Sequence, residues 1–166
     1  SEFVHGLQQA IKHSQTGRPG PAAVLLKWNV AFEEVDPEKL HPTVHPLAGL
    51  MRVSPACISA EDAKKAADML VAARSPVMVA GQGVRTARAY PELRELAELI
   101  GMPVATSYSG KSSLPETHDL ALGTMGAIGQ VLANRKIQEA DLILCVGSAL
   151  SPENTKWLAP DFIQPA

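Results

Sequence analysis

Apolar residues beyond position 55 recur in two alternating patterns. Short continuous runs, such as "PVMVAGQGV" (76–84) and "ADLILCVGSAL" (140–150), predict buried strands that end in glycine turns. Continuous apolar strands separated by amphipathic helices are typical of a parallel sheet covered on both faces, so the pattern predicts an α/β fold. The helical stripe after the first run begins near Pro91 and ends at Gly101, and its apolar members are Leu93, Leu96, Ala97 and Ile100.

The neighbouring segments extend the same alternation. "MPVATSY" (102–108) predicts a strand, and "HDLALGTMGAIGQVLANRK" (118–136) predicts a short strand, a glycine turn and a helix. With right-handed crossovers, this order predicts a Rossmann-like domain over residues 56–166. Ser59 and Asp62 form a capping-box pattern ahead of a core-facing helix, whose apolar stripe is Ala63, Ala66, Ala67, Leu70 and Val71.

The first 55 residues have a different organisation. "TGRPGP" (16–21) ends a predicted helix, and "AAVLLKW" (22–28) predicts a strand. From residue 31 to residue 55 the apolar pattern fades and prolines recur, which predicts an extended linker. Its His41 and His45 each precede a proline that moves them off a shared helical face, so we assign no metal site. The predicted helix has one apolar face, made of Phe3, Val4, Leu7 and Ile11.

Composition narrows the classes of partner. The 166 residues are 46% hydrophobic with a net charge of −2, which disfavours binding to nucleic acid or to an anionic membrane. No apolar run approaches the roughly 20 residues of a membrane span, and the N-terminus lacks a signal-peptide pattern, so we expect a cytoplasmic protein. Cys57 lies far from Cys145, and the apolar run around Cys145 predicts a buried, inert thiol.

One short stretch matches the sequence pattern of a phosphate-binding loop. "ATSYSGKSS" (105–113) satisfies the looser Walker A pattern, whose chemistry requires a helix that begins at the lysine. Pro115 follows Lys111 within four residues and would break that helix. We therefore interpret the stretch as the end of a parallel strand that runs into a surface loop.

Several predicted strands end in residues that suit a ligand crevice, which in open α/β sheets forms at the carboxyl ends of the strands. These ends are residues 81–83, 106–110 and 147–149. The helix after Gly126 also presents an N-terminus that suits a phosphate. A glycine after a parallel strand is equally typical of a plain turn, so each stretch alone leaves both interpretations open. Their shared position at one sheet edge favours a nucleotide crevice.

The order of segments resembles thiamine diphosphate-dependent enzymes of the acetolactate synthase type over nearly the whole chain. The resemblance implies that residues 1–30 are the last helix and strand of a pyrimidine-binding domain. It implies a linker over residues 31–55 and a central domain, incomplete at its C-terminus, over residues 56–166. The segments that carry it are "TGRPGPAAVLLKWNV", the proline linker, "MLVAARSPVMVAGQGV", "LAELIGMPVATSYSGKSSLPETHDLALGTMGAIG" and "ANRKIQEADLILCVGSAL".

The resemblance implies a longer parent enzyme, a transferase or lyase that acts on a 2-oxo acid with thiamine diphosphate and magnesium. The family's activating glutamate and its Gly-Asp-Gly…Asn magnesium motif belong to domains outside this chain. No catalytic or metal-binding residue is therefore implied here, and this chain is not expected to bind thiamine diphosphate. Its implied role is that of a scaffold and subunit-interface element. Unpaired apolar strand edges further predict a homo-oligomer in which the first 30 residues contribute to the contact.

Some members of the family hold FAD or an adenine nucleotide in the central domain. Two departures argue against flavin here: Gln82 replaces a third glycine, and Ala149 replaces an arginine that would pair with a phosphate. We expect weak or absent FAD binding. An alternative function is a stand-alone nucleotide-binding module without catalysis. The cofactor-binding positions that the resemblance carries over are Gly81, Gln82, Gly83, Thr106, Ser107, Tyr108, Leu122, Gly123, Thr124, Met125, Gly147, Ser148 and Ala149.

Overall fold

The chain divides into two compact units, residues 1–57 and 58–166. Most of the predicted linker, together with His41 and His45, lies outside the residues that the structure describes. The domain boundaries near residues 30 and 55 therefore stay a prediction. The computed structural model describes residues 2–17, 19–34, 36–39 and 57–163.

The first unit consists of a long helix followed by an irregular segment. Three members of the predicted apolar face of helix α1 (Glu2–Gln15), Phe3, Leu7 and Ile11, line a groove of about 440 Å³ together with the segment around Val24. The predicted strand over residues 22–28 is wrong, because residues 19–27 form no regular element and Trp28–Ala31 forms one helical turn, α2. A strand needs a neighbour for its backbone groups, and the described residues of this unit provide none. A short 3-10 helix, Pro37–Lys39, follows.

The second unit is built on a four-stranded sheet in which every strand is parallel to its neighbours. The order of strands is β3-β2-β1-β4, so β1 lies inside the sheet and β4 lies at an edge. This sheet confirms the predicted Rossmann-like α/β fold. Its strands are β1 (Pro76–Ala80), β2 (Val104–Thr106), β3 (Ala121–Thr124) and β4 (Leu142–Val146).

The helices of the second unit begin and end where local chemistry favours it. In α3 (Ala60–Ala72), the Ser59 hydroxyl accepts a hydrogen bond from Asp62 N at 3.0 Å, which confirms the predicted cap. In α5 (Tyr90–Ile100), a proline occupies the first turn, and Gly101 ends the helix with a φ of 63°. The other helices are α4 (Gln82–Ala87) and α6 (Val131–Glu139).

The core lies on both faces of β1, because successive side chains of a strand point to opposite sides. On one face, Met78 packs with Leu93 and Ala97 of α5. On the other face, Val79 packs with Ile137 of α6 and with other buried apolar residues. The sheet is thus covered on both faces, as the continuous apolar runs predicted.

Three details of the prediction are wrong. The first strand ends at Ala80, and Gly81 begins α4 rather than a turn. The last strand is half-buried and Cys145 is exposed, because the strand order leaves β4 at an edge. In α3 no side chain is buried and Val71 is 81% exposed, while Leu70 packs against the core. A helical stripe marks an apolar face, but the elements packed against that face decide its burial.

Among the described residues, no helix has the length and the apolar composition needed to cross a lipid bilayer.

Candidate functional site

The parallel strands bring the predicted ligand-facing stretches together at one edge of the sheet. Ala80 of β1 is in register with Thr106 of β2 and with Val146 of β4. Thr106 is in turn in register with Thr124 of β3. All four strands therefore end side by side, and we refer to this set of ends as the carboxyl edge.

At the carboxyl edge, β1 and β4 end in direct contact. Gly81 N donates to Val146 O at 2.8 Å, and Gly83 N donates to Gly147 O at 2.9 Å. A Cβ atom on Gly81 would overlap the Gly147 carbonyl, and one on Gly83 would lie 2.6 Å from the Gly147 Cα atom. Gly147 itself has a φ of 60°, which favours glycine. These glycines are thus required by backbone packing, whether or not a ligand binds.

The end of β2 is buried and joined to its neighbours by hydrogen bonds. Ser107 N donates to Ala80 O at 2.9 Å, and the Ser107 hydroxyl accepts from Gly110 N at 3.0 Å. The Thr106 and Thr124 hydroxyls lie 3.4 Å apart across the two strands. Residues 108–118 then form turns, so no helix begins at Lys111, as the position of Pro115 predicted. Lys111 instead pairs with Glu116 at 3.2 Å.

Tyr108 connects the β2 end to two loops. Its hydroxyl accepts from Ile128 N at 2.9 Å and donates to Glu153 O at 3.4 Å. Its backbone N donates to the side chain of Asn154 at 3.3 Å. The loop that follows β4 therefore folds over the space in front of Tyr108.

The β3 end contributes core and turn residues. Leu122 and Met125 are buried, and Met125 N donates to Thr106 O at 2.9 Å. Gly123 has a φ of 83° and lies beneath the side chain of Gln130. Space beside this glycine is therefore filled by the protein itself.

Asn134 of α6 is a site residue that the sequence analysis missed. It is 8% exposed, and its side-chain amide forms hydrogen bonds with both backbone polar groups of Gly126. An asparagine on the buried face of a helix, eight residues after a glycine turn, was the available signal. Because periodicity considers only apolar residues, it did not identify Asn134.

The remaining predicted cofactor-binding residues are more exposed than those at the ends of β2 and β3. Gln82, Gly147 and Ala149 are exposed, while Ser148 is half-buried and its hydroxyl accepts from Leu150 N at 3.3 Å. A guanidinium lies near the β2 end, where Arg85 Nη1 donates to Ser109 O at 3.3 Å. The carboxyl edge is thus polar mainly through backbone groups, hydroxyls and amides.

An apolar pocket of about 290 Å³ adjoins the ends of β1 and β4. It lies on the α5 face of the sheet, and among the described residues that line it Glu92 carries a charge. We refer to it as the α5 pocket. Its other lining residues are Met78, Gly83, Val84, Ala87, Ala89, Leu93, Leu96, Val146 and Gly147.

Two carboxyl groups with a lowered pKa, those of Glu98 and Asp141, lie near the amino ends of the strands, opposite the carboxyl edge. Hydrogen bonds from His118 and Arg94 lower the pKa of Glu98. Leu120 N donates to His118 Nδ1 at 3.2 Å, so the ring carries its proton on Nε2, which faces Glu98 at 2.9 Å. Just before β4, the backbone N–H groups of Arg74 and Ser75 lower the pKa of Asp141. These contacts join α5 to the segment before β3, and the segment after α3 to the start of β4.

Cys145 is exposed on the half-buried edge strand β4, where its side chain was expected to be buried. The neighbouring atoms that partly cover the sulfur still raise the pKa of the thiol. Because the thiolate is the reactive form, this direction lowers the nucleophilicity of Cys145.

Comparison with known proteins gives the family. A model described as the central domain of thiamine pyrophosphate enzymes matches residues 63–166. The chain belongs to the thiamine pyrophosphate enzymes. This assignment confirms the resemblance on which the sequence analysis relied.

Curated relatives extend the match toward the N-terminus. A probable acetolactate synthase large subunit of Methanococcus aeolicus is 36% identical over 149 residues, which is 89% of this chain and 24% of the relative. The acetolactate synthase isozyme 3 large subunit of Escherichia coli (strain K12) is 34% identical over 155 residues, 92% of this chain and 26% of the relative. Glyoxylate carboligase of Escherichia coli O157:H7 is 32% identical over 154 residues, 90% of this chain and 24% of the relative. The chain spans about a quarter of the length of these thiamine pyrophosphate enzymes.

The cofactors of the family can be tested against the described residues. In residues 2–17, 19–34, 36–39 and 57–163, no three His, Cys, Asp or Glu side chains converge as metal ligands. The glycines that suit a dinucleotide are packed against Gly147, Gln130 and Glu153, on the side where a Cβ atom would lie. The described residues therefore bring together no set of side chains for a magnesium ion, and their glycines have a packing role that does not depend on FAD. The assignment of the thirteen carried-over residues to a cofactor stays a prediction.

Proposed function

We propose that this chain is the central domain of a longer thiamine diphosphate-dependent carboligase or decarboxylase that acts on a 2-oxo acid. The observation that carries the proposal is the match of about nine-tenths of the chain to acetolactate synthase large subunits and to glyoxylate carboligase. When bound elsewhere in such an enzyme, thiamine diphosphate supplies the carbanion chemistry. The contribution of this domain is rigid support and contact between subunits.

The structure of the carboxyl edge supports a scaffold role. Its glycines pack on other backbone atoms, and Tyr108, Asn134 and Asn154 use their polar groups to hold loops. These contacts give a structural reason for residues that would otherwise suggest a nucleotide. We propose that the nucleotide crevice is vestigial, and that neither FAD nor an adenine nucleotide binds tightly.

Exposed apolar residues of the first unit support a subunit-interface role. Leu25 is 96% exposed and Trp28 is 80% exposed, and the Trp28 ring packs edge to face on Phe32 with centroids 4.7 Å apart. An apolar cluster of this kind marks a contact surface in a soluble protein. We propose that this unit contributes to a homo-oligomer. Light scattering on the 166-residue chain and on a chain that begins at Ala31 tests the idea. The same number of subunits per particle in both would contradict it.

The enzymatic proposal is tested with the whole natural gene product. With pyruvate or glyoxylate, thiamine diphosphate and magnesium, it is expected to release carbon dioxide and form a carboligation product. The 166-residue chain, assayed in parallel, is expected to show no turnover above a buffer control. Turnover by the short chain would refute the scaffold role, and an inactive full product would refute the enzymatic assignment.

Flavin binding is tested separately by calorimetric titration of the 166-residue chain with FAD. The packed glycines and the alanine at position 149 lead us to expect no binding in the micromolar range. A dissociation constant at or below the micromolar range, or yellow protein on purification, would overturn the vestigial interpretation. It would instead favour a nucleotide-binding module.

A further inference from the structure

The loop after β4 contains a tightly folded turn, residues 151–155, which we call the latch. Asn154 N donates to Ser151 O at 2.9 Å, and Asn154 Nδ2 donates to Ser151 Oγ at 2.8 Å. On either side of the latch, Leu150 packs against the core cluster that contains Phe162. The latch is therefore a small preformed unit that is tethered to the second unit at both ends.

The latch supplies acceptor oxygens to N–H groups at the carboxyl edge. Glu153 O accepts from Ala127 N at 2.9 Å, in the turn between β3 and α6. The side chain of Asn154 is 7% exposed and accepts from Tyr108 N at 3.3 Å, just after β2. Backbone N–H groups at this edge of an open α/β sheet are those that face a ligand, and a phosphate binds through such groups. The latch thus occupies donors that a phosphate would use.

The Tyr108 hydroxyl joins the latch to the turn between β3 and α6. It accepts from Ile128 N at 2.9 Å and donates to Glu153 O at 3.4 Å. Ala127 and Ile128 therefore use successive N–H groups on the latch and on the tyrosine that holds it. Successive N–H groups that point to one place favour an anion. A Cβ atom on Gly126 would lie 2.5 Å from Glu153 O, so the latch packs directly on this turn.

We propose that the latch is an autoinhibitory contact, in which residues 151–155 use their own oxygens to occupy the N–H groups through which the carboxyl edge would bind a phosphate. Tyr108 is the positioning residue that keeps the latch closed. The inference rests on the vestigial crevice proposed above and gives it a cause, because an anion must first displace the latch. A site that is open for only a fraction of the time binds more weakly by that fraction. Opening the latch therefore raises the affinity for an anion.

Amide exchange followed by NMR gives the first test, on the Tyr108→Phe variant. The matched control is Tyr90→Phe, because Tyr90 is exposed at the start of α5. Tyr108→Phe removes the acceptor of Ile128 N directly, whereas Ala127 N keeps its acceptor unless the latch opens. We expect exchange at Ala127 to be about tenfold faster in Tyr108→Phe than in the control, with no change at Ile137 in α6. Faster exchange at Ile128 alone, or an equal change at Ile137, would overturn the latch.

Titration with pyrophosphate, followed by the amide chemical shifts of Ala127 and Ile128, gives the second test. Tyr108→Phe is expected to bind pyrophosphate about tenfold more tightly than the unaltered chain or Tyr90→Phe. Equal affinities in the three proteins, or no binding to any of them, would refute the autoinhibitory role.

The two proposals fail in different ways. Micromolar binding of FAD by the unaltered chain would refute the vestigial crevice, whereas equal pyrophosphate affinities in Tyr108→Phe and the unaltered chain would refute the latch alone. Neither test measures turnover, so an inactive full-length product would refute the enzymatic proposal without affecting the latch.

Discussion

Asn134 binds Gly126 through both polar groups of the glycine backbone. Gly126 N donates to Asn134 Oδ1 at 2.8 Å, and Asn134 Nδ2 donates to Gly126 O at 2.9 Å. The side chain of α6 thereby fixes the turn after β3, at a point where Gly126 has a φ of 110°. The two bonds are buried, so water does not replace either partner at low cost.

Replacing Asn134 by alanine should therefore destabilise the second unit. We expect a loss of about 1–3 kcal/mol in the free energy of unfolding, because both backbone groups of Gly126 lose their partner. Urea unfolding followed by circular dichroism measures it. Lys136→Ala, on the exposed side of the same helix, is the control and should change stability by less than about 0.5 kcal/mol. Similar losses in the two variants would contradict the role of Asn134.

Gly81 should not tolerate a side chain. A Cβ atom there would overlap the carbonyl of Gly147 and lie 2.5 Å from the Ser148 Cα atom. Gly81→Ala is expected to cost about 1–3 kcal/mol, because the ends of β1 and β4 must separate. Gly6→Ala is the control, since Gly6 lies in α1, no atom other than those of its own stretch of helix lies within 4 Å of its added Cβ, and alanine favours a helix. A neutral Gly81→Ala variant would show that the two strand ends move freely.

The elements that could be predicted from the sequence are those set by local chemistry. The start of α3 follows from Ser59 and Asp62, and the limits of α5 follow from Pro91 and Gly101. The alternation of apolar runs and stripes was sufficient for a parallel sheet. Once the strands are parallel, the meeting of their ends at one edge follows without further information.

Features that depend on distant parts of the chain could not be predicted. The exposure of Cys145 follows from the order of strands, which periodicity does not contain. The strand expected over residues 22–28 required a partner that its own sequence does not specify. The contact between Asn134 and Gly126 joins a helix to a turn and leaves no periodic trace. The glycines at the strand ends did not distinguish a packed turn from a nucleotide crevice, because backbone packing and ligand binding both require glycine.

Asp141 should make the stability of the second unit depend on acid pH. Hydrogen bonds from the backbone N–H groups of Arg74 and Ser75 lower the pKa of its carboxyl group in the folded state. The stabilising effect is therefore complete above the unfolded-state pKa, about 3.9, and is lost as the pH falls through the lower folded-state value. Asp141→Asn should reduce the urea midpoint at pH 7, and its difference from the unaltered chain should shrink below about pH 4.

The control for this prediction is Asp119→Asn, which removes the same charge at an exposed position of the same unit. Its urea midpoint is expected to follow that of the unaltered chain between pH 7 and pH 3. A difference between Asp141→Asn and the unaltered chain that stays constant over this range would contradict the effect of the carboxylate charge.

Phe162 should anchor the segment that follows β4. Its side chain is 0% exposed in the cluster with Ile137, and Lys156 Nζ lies 4.8 Å from its ring centroid. Phe162→Ala removes a large buried side chain and is expected to cost about 3–5 kcal/mol in the free energy of unfolding. Trp157→Ala is the matched control in the same segment, because Trp157 is 68% exposed and should change stability by less than about 1 kcal/mol. If Phe162→Ala instead leaves the urea midpoint unchanged and only speeds amide exchange in residues 150–163, the segment is an independent flap and the anchor role is refuted.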